Sequence, residues 1–165
     1  MNGAGAASEV VALATHLGVT VATAESLTAG LVASSIAGVP GASAVLQGGL
    51  VAYQLEVKQK LLGVDADLLA AAGAVDPRVA AAMADGARAA FSADIGLATT
   101  GVAGPAAHGG KPVGTVFTAI SSSAGTETFE HHFPGDRDSI RAASCDAVLT
   151  ELLGTLSKGT NSGRG

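Results

Sequence analysis

The chain has 165 residues, enough for one domain with a buried core, and its 48% hydrophobic residues are mostly aliphatic or alanine, with only 3% aromatic. Its net charge of −5, with nine lysines and arginines spread along the sequence, argues against a general nucleic-acid surface, because phosphate binding needs clustered positive charge. The single cysteine, the absence of a secretory signal pattern and the lack of an apolar run near the roughly 20 residues of a membrane span lead us to expect a cytoplasmic protein without disulfides.

In chain order, hydrophobic periodicity predicts helices that alternate with strands. The predicted helices cover residues 10–17, 27–36, 55–62, 77–91 and 140–156. The predicted strands cover residues 19–24, 44–53, 95–100, 115–121 and, as an edge strand, 126–133. This alternation predicts an α/β fold, a three-layer α/β/α sandwich formed by a single domain over residues 8–157. The small, polar segments 1–7 and 158–165 are predicted to be flexible termini.

A serine at the end of the first predicted strand is the first candidate for chemistry. Ser26 lies in the segment Thr-Ala-Glu-Ser-Leu-Thr-Ala-Gly, residues 23–30, where that strand passes into the next predicted helix. A serine there can act as an N-cap. The same place suits a nucleophile, because free helix N–H groups and the helix dipole stabilise a developing oxyanion beside the hydroxyl. The G-x-S-x-G elbow of α/β-hydrolases is absent, and both interpretations stay open at this point.

Two lysines of the predicted helix 55–62 occupy different positions on a helical wheel. Lys58 lies near the middle of an apolar arc formed by Leu55, Val57, Leu61 and Leu62. Lys60 lies on the opposite side, one turn from Glu56, as a solvated ion pair should. A lysine on an apolar face either extends its ammonium to solvent or stays desolvated with a lowered pKa, as a general base requires. Tyr53, the only tyrosine, ends the preceding predicted strand and is either part of this site or an ordinary interface aromatic.

A glycine-rich loop between the predicted strands 95–100 and 115–121 is the third candidate. It begins with the segment Thr100 to Pro105, which contains Gly101 and Gly104, and it continues through Lys111. Such a loop can bring backbone N–H groups close to a phosphate or a sugar, although a plain turn explains it equally well. A P-loop is excluded because a proline follows Lys111. His108, in the same loop, is interpreted as solvent-facing and receives no role.

The final predicted helix is preceded by Gly-Asp-Arg-Asp, which contains Arg137, and Arg141 follows one turn later. The two arginines share a helix face and could hold a carboxylate, a phosphate or a neighbouring subunit. A solvated helix start, with its aspartates near the N-terminus, is the alternative. His131 and His132 alternate along the predicted edge strand and point to opposite faces, so we expect no metal site there.

Taken in this order, these segments resemble the CinA C-terminal domain family. The family pattern A-E-S-C-T-G-G resembles residues 24–30, with Leu27 and Ala29 at the cysteine and the first glycine. The family pattern around the lysine resembles Y-x-x-E-x-K-x-x-x-L-G, which is met by Tyr53, Glu56, Lys58, Leu62 and Gly63. T-G-x-A-G-P, K-P-V-G and G-D-R-x-x-x-R are met at residues 100–105, 111–114 and 135–141, and the likeness covers about residues 8–157.

The resemblance implies hydrolysis of the carboxamide of nicotinamide mononucleotide to nicotinate mononucleotide and ammonia, a salvage step of NAD metabolism. It also implies a homo-oligomer and a serine mechanism without metal or cofactor, in which Ser26 is the nucleophile, Lys58 the base and Tyr53 an assistant. For this mechanism we expect the N–H groups at the start of the following helix to bind the oxyanion. The partner is a small nucleotide, with no nucleic acid and no membrane. The residues expected to bind substrate are Glu25, Thr28, Gly30, Thr100, Gly101, Gly104, Lys111, Arg137 and Arg141.

Two other functions fit the same residues. A catalytically silent nucleotide-binding or assembly module on the same fold would keep the glycine-rich loop and would not need a desolvated Lys58. A hydrolase of another small amide would need both the glycine-rich loop and a desolvated Lys58. The environment of Lys58 therefore separates the first alternative from the two hydrolases.

Overall fold

The structure, a computed structural model, describes residues 3–162, and its centre is one five-stranded sheet. The strands are β1 (Val21–Glu25), β2 (Leu46–Val51), β3 (Ile95–Gly101), β4 (Thr115–Ser122) and β5 (Gly125–His132). Their order is β2-β1-β3-β4-β5. β1 runs parallel to β2 and β3, whereas the β3–β4 and β4–β5 pairs are antiparallel. The sheet is therefore mixed, and the predicted α/β class is confirmed.

Within residues 3–162, six helices cover the two faces of this sheet. They are α1 (Gly3–Leu17), α2 (Leu31–Ala37), α3 (Leu55–Leu62), α4 (Ala66–Ala72), α5 (Pro77–Ala90) and α6 (Arg137–Ser162), and a 3-10 turn spans Ala42–Ala44. Helices α1, α2 and α6 bury one hydrophobic cluster against the sheet. Helices α3, α4 and α5 bury a second cluster on the opposite face. The predicted arrangement of three layers is therefore correct.

Small side chains allow these layers to approach closely. A Cβ atom on Gly96 of β3 would overlap the carbonyl oxygen of Ala84 in α5. A Cβ atom on Gly86 of α5 would likewise overlap the carbonyl oxygen of Leu62, at the end of α3. The contacts of α5 with β3 and α3 thus depend on glycine at both positions, which accounts for a composition rich in glycine and alanine and poor in aromatic residues.

Regular structure extends beyond the predicted residues 8–157 at both ends. Helix α1 begins at Gly3 and buries Ala6 and Ala7, and α6 continues to Ser162. These outer helical turns were not predicted, because alanines pack against neighbours without the large apolar side chains that reveal a helical period. The flexibility of the two termini stays a prediction. Residues 1, 2 and 163–165 of the predicted termini lie outside the described part of the chain.

The chain also contains one helix that was not predicted. α4 is short and rich in alanine, and Asp65 caps it by accepting the N–H of Leu68 at 2.8 Å. Its loop to α5 places Ala74 and Val75 beside the carboxyl end of β3. Because β1, β2 and β3 are parallel, the carboxyl ends of all three strands meet at this one edge of the sheet.

Candidate active site

The turn that follows β1 carries Ser26 at this carboxyl edge. Ser26 is buried, with 8% of its surface exposed, and its N–H donates to the carbonyl of Thr99 on β3 at 3.0 Å. Its own carbonyl accepts the N–H of Ala29 at 3.2 Å, which closes a tight turn. Helix α2 begins only at Leu31, after Gly30 as its N-cap residue. The prediction that Ser26 lies at a helix N-terminus is therefore wrong, because this turn separates the serine from the helix.

The first N–H groups of α2 are also unavailable to an oxyanion. The carboxylate of Glu25 accepts the N–H groups of Gly30, Val32 and Ala33 at 2.9–3.0 Å. Predicting oxyanion contacts at the start of this helix was therefore wrong. The N–H of Leu27, directly after the serine, donates no hydrogen bond within residues 3–162. It is the available backbone donor nearest to Ser26 in the chain.

Lys58 extends to this turn from α3, which packs on the face of the sheet opposite to α2. Its side chain is fully buried, and Nζ lies 2.9 Å from Oγ of Ser26. Nζ also donates to the carbonyl oxygens of Ala52 at 2.7 Å and Tyr53 at 3.0 Å. Burial lowers the pKa of the Lys58 ammonium from its ordinary 10.5 to about 8. The expected contact between Ser26 and a desolvated Lys58 is therefore present.

Lys60 shows that this environment is specific to one of the two lysines. The Lys60 side chain is 74% exposed, and its Nζ lies 3.8 Å from Glu56. The predicted contrast between the lysines is correct, but the predicted apolar arc is not. Leu55 and Leu61 are 44% and 54% exposed, because α3 has only two turns and its ends extend past the core. Leu62 and Lys58 are the buried residues of this helix.

Tyr53 bonds to Lys58 through its backbone carbonyl and to Arg137 through its side-chain hydroxyl. Its backbone carbonyl accepts from Lys58, while its side-chain hydroxyl accepts a 3.0 Å hydrogen bond from Arg137. A second guanidinium nitrogen of Arg137 donates to the carbonyl of Gly104 at 2.9 Å. The Tyr53 hydroxyl thus bonds to an arginine at the start of α6 and not to Ser26 or Lys58. This contact gives no support to a proton relay through Tyr53.

Ser26 opens onto a pocket of about 360 Å³. One wall is the segment 100–108, which leaves the end of β3, and Ala74 and Val75 form another. Tyr53, Leu27 and Arg137 complete the lining. Among the described residues none of those that line this pocket is an aspartate or a glutamate, although the chain carries a net charge of −5. Arg137 is the lining residue with a permanent positive charge.

Four of the nine predicted substrate-binding residues line this pocket: Thr100, Gly101, Gly104 and Arg137. The hydroxyl of Thr100 is already used, because it donates to the carbonyl of Ala74 at 2.7 Å. The other five are not among the lining residues. Lys111 lies with its Nζ 5.8 Å from the ring centre of Phe117. Thr28 and Gly30 belong to the turn that carries Ser26, and Glu25 and Arg141 bond to that turn.

Comparison with known proteins identifies the family. Residues 4–156 match the family described as the CinA C-terminal domain. The chain belongs to this family. It is 50% identical over 132 residues to a putative competence-damage inducible protein of Desulforamulus reducens, covering 80% of this chain and 32% of that protein. It is 49% identical over 140 residues to a CinA-like protein of Frankia casuarinae, covering 85% and 32%. The chain thus spans about a third of the length of these relatives.

Solved structures of CinA proteins have the same fold. The competence/damage inducible protein CihA of Agrobacterium tumefaciens superposes with a TM-score of 0.90 at 35% identity, covering 95% of this chain and 96% of the other. The competence damage-inducible protein A of Klebsiella pneumoniae gives a TM-score of 0.92 at 32% identity, covering 95% and 98%. Both superpositions cover nearly the whole of each chain, so this chain has the same fold as these two CinA proteins.

Two departures from the CinA pattern lie in the serine turn. Ala29 has a φ of 48°, in the left-handed region, where the family pattern has a glycine. Leu27 stands at the cysteine of the pattern and packs in a small buried cluster with Ala103, Val116 and Ile140. Both residues therefore fit the CinA turn, Ala29 with an unfavourable backbone conformation and Leu27 as part of the local packing.

Sequence reasoning missed several of the residues that line the pocket. Val75 and Ala74 escaped notice because α4, which leads to them, carries little periodicity. His108 received no role, yet the loop 105–108 forms part of the wall. Backbone bonds between His108 and Lys111 close this loop into a short hairpin. The glycines that flank the loop were the only available signal, and they do not reveal which side faces the serine.

Proposed function

We propose that this chain is a metal-independent serine amidase that hydrolyses the carboxamide of nicotinamide mononucleotide to nicotinate mononucleotide and ammonia. The observation that carries the proposal is the buried contact of 2.9 Å between Nζ of Lys58 and Oγ of Ser26. A silent binding module would have no use for a buried amine with a lowered pKa beside a serine hydroxyl.

The hydrogen bonds of Lys58 orient it as a base. A neutral amine has two N–H bonds and one lone pair. The carbonyl oxygens of Ala52 and Tyr53 accept the two N–H bonds, so the lone pair faces Oγ of Ser26. Neutral Lys58 therefore removes the proton of the Ser26 hydroxyl directly, without a step through the Tyr53 side chain.

The reaction then follows the usual course of acyl transfer. Oγ of Ser26 attacks the carboxamide carbon, and the oxyanion forms opposite the N–H of Leu27. The ammonium of Lys58 gives its proton to the leaving nitrogen. The carbon–nitrogen bond breaks, ammonia departs, and the substrate remains bound to Oγ of Ser26 as an acyl–enzyme. Lys58 then deprotonates a water molecule, which attacks the carbonyl carbon of the acyl–enzyme. The bond from that carbon to Oγ breaks, nicotinate mononucleotide is released, and Lys58 returns the proton to Oγ of Ser26. Water is the only co-reactant, so the proposed reaction uses no cofactor.

The residues that line the pocket suit a substrate that carries both a negative phosphate and a flat ring. A pocket with Arg137 and without carboxylates favours a ligand that carries a phosphate, particularly in a chain with a net charge of −5. Leu27, Val75 and Tyr53 offer apolar surface for a flat ring. Arg137 is therefore the side chain we assign to the phosphate, with the loop from Gly101 to Gly104 beside the sugar.

The direct test measures ammonia released by the purified chain from nicotinamide mononucleotide. We expect one equivalent of ammonia per nicotinate mononucleotide, an activity that EDTA does not reduce, and poorer use of the riboside that lacks the phosphate. Ammonia from other small amides but not from this nucleotide would instead indicate a different amidase. Binding of the nucleotide without any hydrolysis would indicate the silent module.

We also propose that copies of this chain associate through the free edge of β2. No charged residue occurs between Glu25 and Glu56, and Val51 and Tyr53 are each about half exposed at this edge. An uncharged, unpaired edge strand tends to pair with another strand. Sedimentation velocity should therefore show a homo-oligomer at micromolar concentration, and a monomer throughout would refute the association.

None of the helices in the described chain could cross a membrane. The cytoplasmic location stays a prediction.

A further inference from the structure

We propose that Glu25 and Arg141 position the serine turn, residues 26–30, and do not contact the substrate. This inference rests on the proposed function, since it assigns the two residues a part in presenting Ser26 to the reaction. Sequence patterns placed both among the substrate-binding residues. Their contacts in the structure point instead to two charged groups that hold the same turn from different sides.

Glu25 holds the turn from the side of helix α2. Its carboxylate is buried, with 1% of the residue exposed, and it accepts five hydrogen bonds from neighbouring residues. Three of these bonds come from the first N–H groups of α2 and two from threonine hydroxyls, those of Thr28 at 2.7 Å and Thr23 at 3.2 Å. An anion at a helix N-terminus is favourable, so this carboxylate fixes where the turn ends and the helix begins.

Arg141 holds the turn from helix α6. Its Nε donates to the carbonyl oxygen of Leu27 at 2.9 Å, and a terminal nitrogen donates to that of Thr28 at 3.2 Å. The side chain is 26% exposed, and Asp138 lies 3.9 Å from its remaining nitrogen. The next residue toward the N-terminus, Ile140, is fully buried, which anchors this part of α6. The planar guanidinium thus fixes two successive carbonyl groups of the turn.

These contacts determine the direction of the groups that react. The peptide after Ser26 is planar, so the N–H of Leu27 points away from the Ser26 carbonyl, which bonds to Ala29 inside the turn. Arg141 fixes the following peptide through the carbonyl of Leu27. With both ends of the turn held, Oγ of Ser26 stays 2.9 Å from Lys58 while the N–H of Leu27 stays free for the oxyanion. A small displacement of a nucleophile can reduce a rate about 100-fold.

The test compares Arg141→Met and Arg141→Lys with the matched variant Arg88→Met. Arg88 also donates to one backbone carbonyl, that of Asp94, but at the opposite end of β3. We expect Arg141→Met to lower kcat about 100-fold with KM within about twofold, and Arg141→Lys to recover part of the loss, because an ammonium reaches one carbonyl. Arg88→Met should leave both constants near those of the natural chain. The apparent pKa of the rate should not move in any variant, since Lys58 is unchanged.

A raised KM with an unchanged kcat in the Arg141 variants would overturn the proposal and return Arg141 to substrate binding. A second measurement is independent of the natural substrate. The rate at which a small phosphonofluoridate labels Ser26 reports how the turn presents the serine to Lys58 and to the N–H of Leu27, without the natural substrate, and we expect Arg141→Met and Glu25→Gln to slow it. Equal labelling of folded Arg141→Met and the natural chain would also overturn the proposal. Slower labelling in a chain that does not hydrolyse the nucleotide would contradict only the proposed substrate.

Discussion

Ser26→Ala should reduce ammonia release from nicotinamide mononucleotide by at least about 10⁴-fold, because the variant has no atom that can form the acyl–enzyme bond. The change removes a single oxygen atom from a residue that is 8% exposed and faces the pocket, so we expect the variant to fold. Lys58 keeps its two carbonyl acceptors, and the pocket keeps Arg137. We therefore expect nucleotide binding, measured by calorimetry, to survive within a few-fold of the natural chain.

Ser34→Ala is the matched control, since Ser34 lies exposed on α2 and away from the pocket. Its activity should equal that of the natural chain. A mass increase of Ser26 after incubation with a phosphonofluoridate, absent from Ser26→Ala, identifies the nucleophile directly. Full hydrolytic activity in Ser26→Ala would assign the chemistry to a different group and leave Ser26 as a structural residue of the turn.

The sheet and most helices were predictable because their residues alternate or repeat with clear apolar periods. Strand β3 and helix α5 have such patterns, and the structure contains both. Alanine-rich segments gave no such signal, so α4 and the first turns of α1 were missed. Small side chains can be buried as completely as large ones when neighbouring layers approach closely, and a sequence does not show how close the layers are.

The burial of a site residue was predictable where it depended on the geometry of a single helix. Lys58 and Lys60 are two residues apart on α3, so helical geometry alone placed one on the buried side and one in solvent. The same reasoning failed for Leu55 and Leu61 because a helix of two turns covers only the core directly beneath its middle. Periodicity gives the direction of a side chain but not where the neighbouring layer ends.

Contacts between distant segments were not predictable in this way. A carboxylate beside a serine in the sequence suggests a shared site, yet Glu25 faces helix α2 while Ser26 faces the pocket. Strand β1 ends at Glu25 and the turn begins at Ser26, so the two side chains point in different directions although they are adjacent in the sequence. Arg137 and Arg141 share one face of α6, but the first lines the pocket and the second bonds to the turn beside it. Only the packing of α6 against the sheet edge distinguishes them.

Lys58→Met should lower kcat about 10²–10⁴-fold, the range expected when a general base is removed, whereas Lys60→Met should change it little. Methionine preserves most of the buried volume of the Lys58 side chain, so the comparison tests the amine and not a cavity. Lys60 forms only an exposed pair with Glu56, which contributes roughly 0–1 kcal/mol. Circular dichroism and urea unfolding show whether each variant is folded. Equal activity in the two folded variants would remove Lys58 from the mechanism and favour the silent binding module.

The dependence of the rate on pH should report the state of the same amine. Burial lowers the pKa of Lys58 to about 8, so the reactive neutral form increases as the pH rises and kcat should increase through an apparent pKa near 8. The unfolded chain restores the ordinary pKa of 10.5 and binds more protons than the folded chain between these values. The contribution of this group to the free energy of unfolding must therefore rise between about pH 8 and 10.5 and stay constant below that window. In Lys58→Met, kcat should no longer increase with pH near 8, and the free energy of unfolding should no longer rise between about pH 8 and 10.5. Lys60→Met should keep both pH dependences. A rate that rises only near the pKa of a free lysine would show that the amine is solvated in the working enzyme, contrary to its burial beside Ser26.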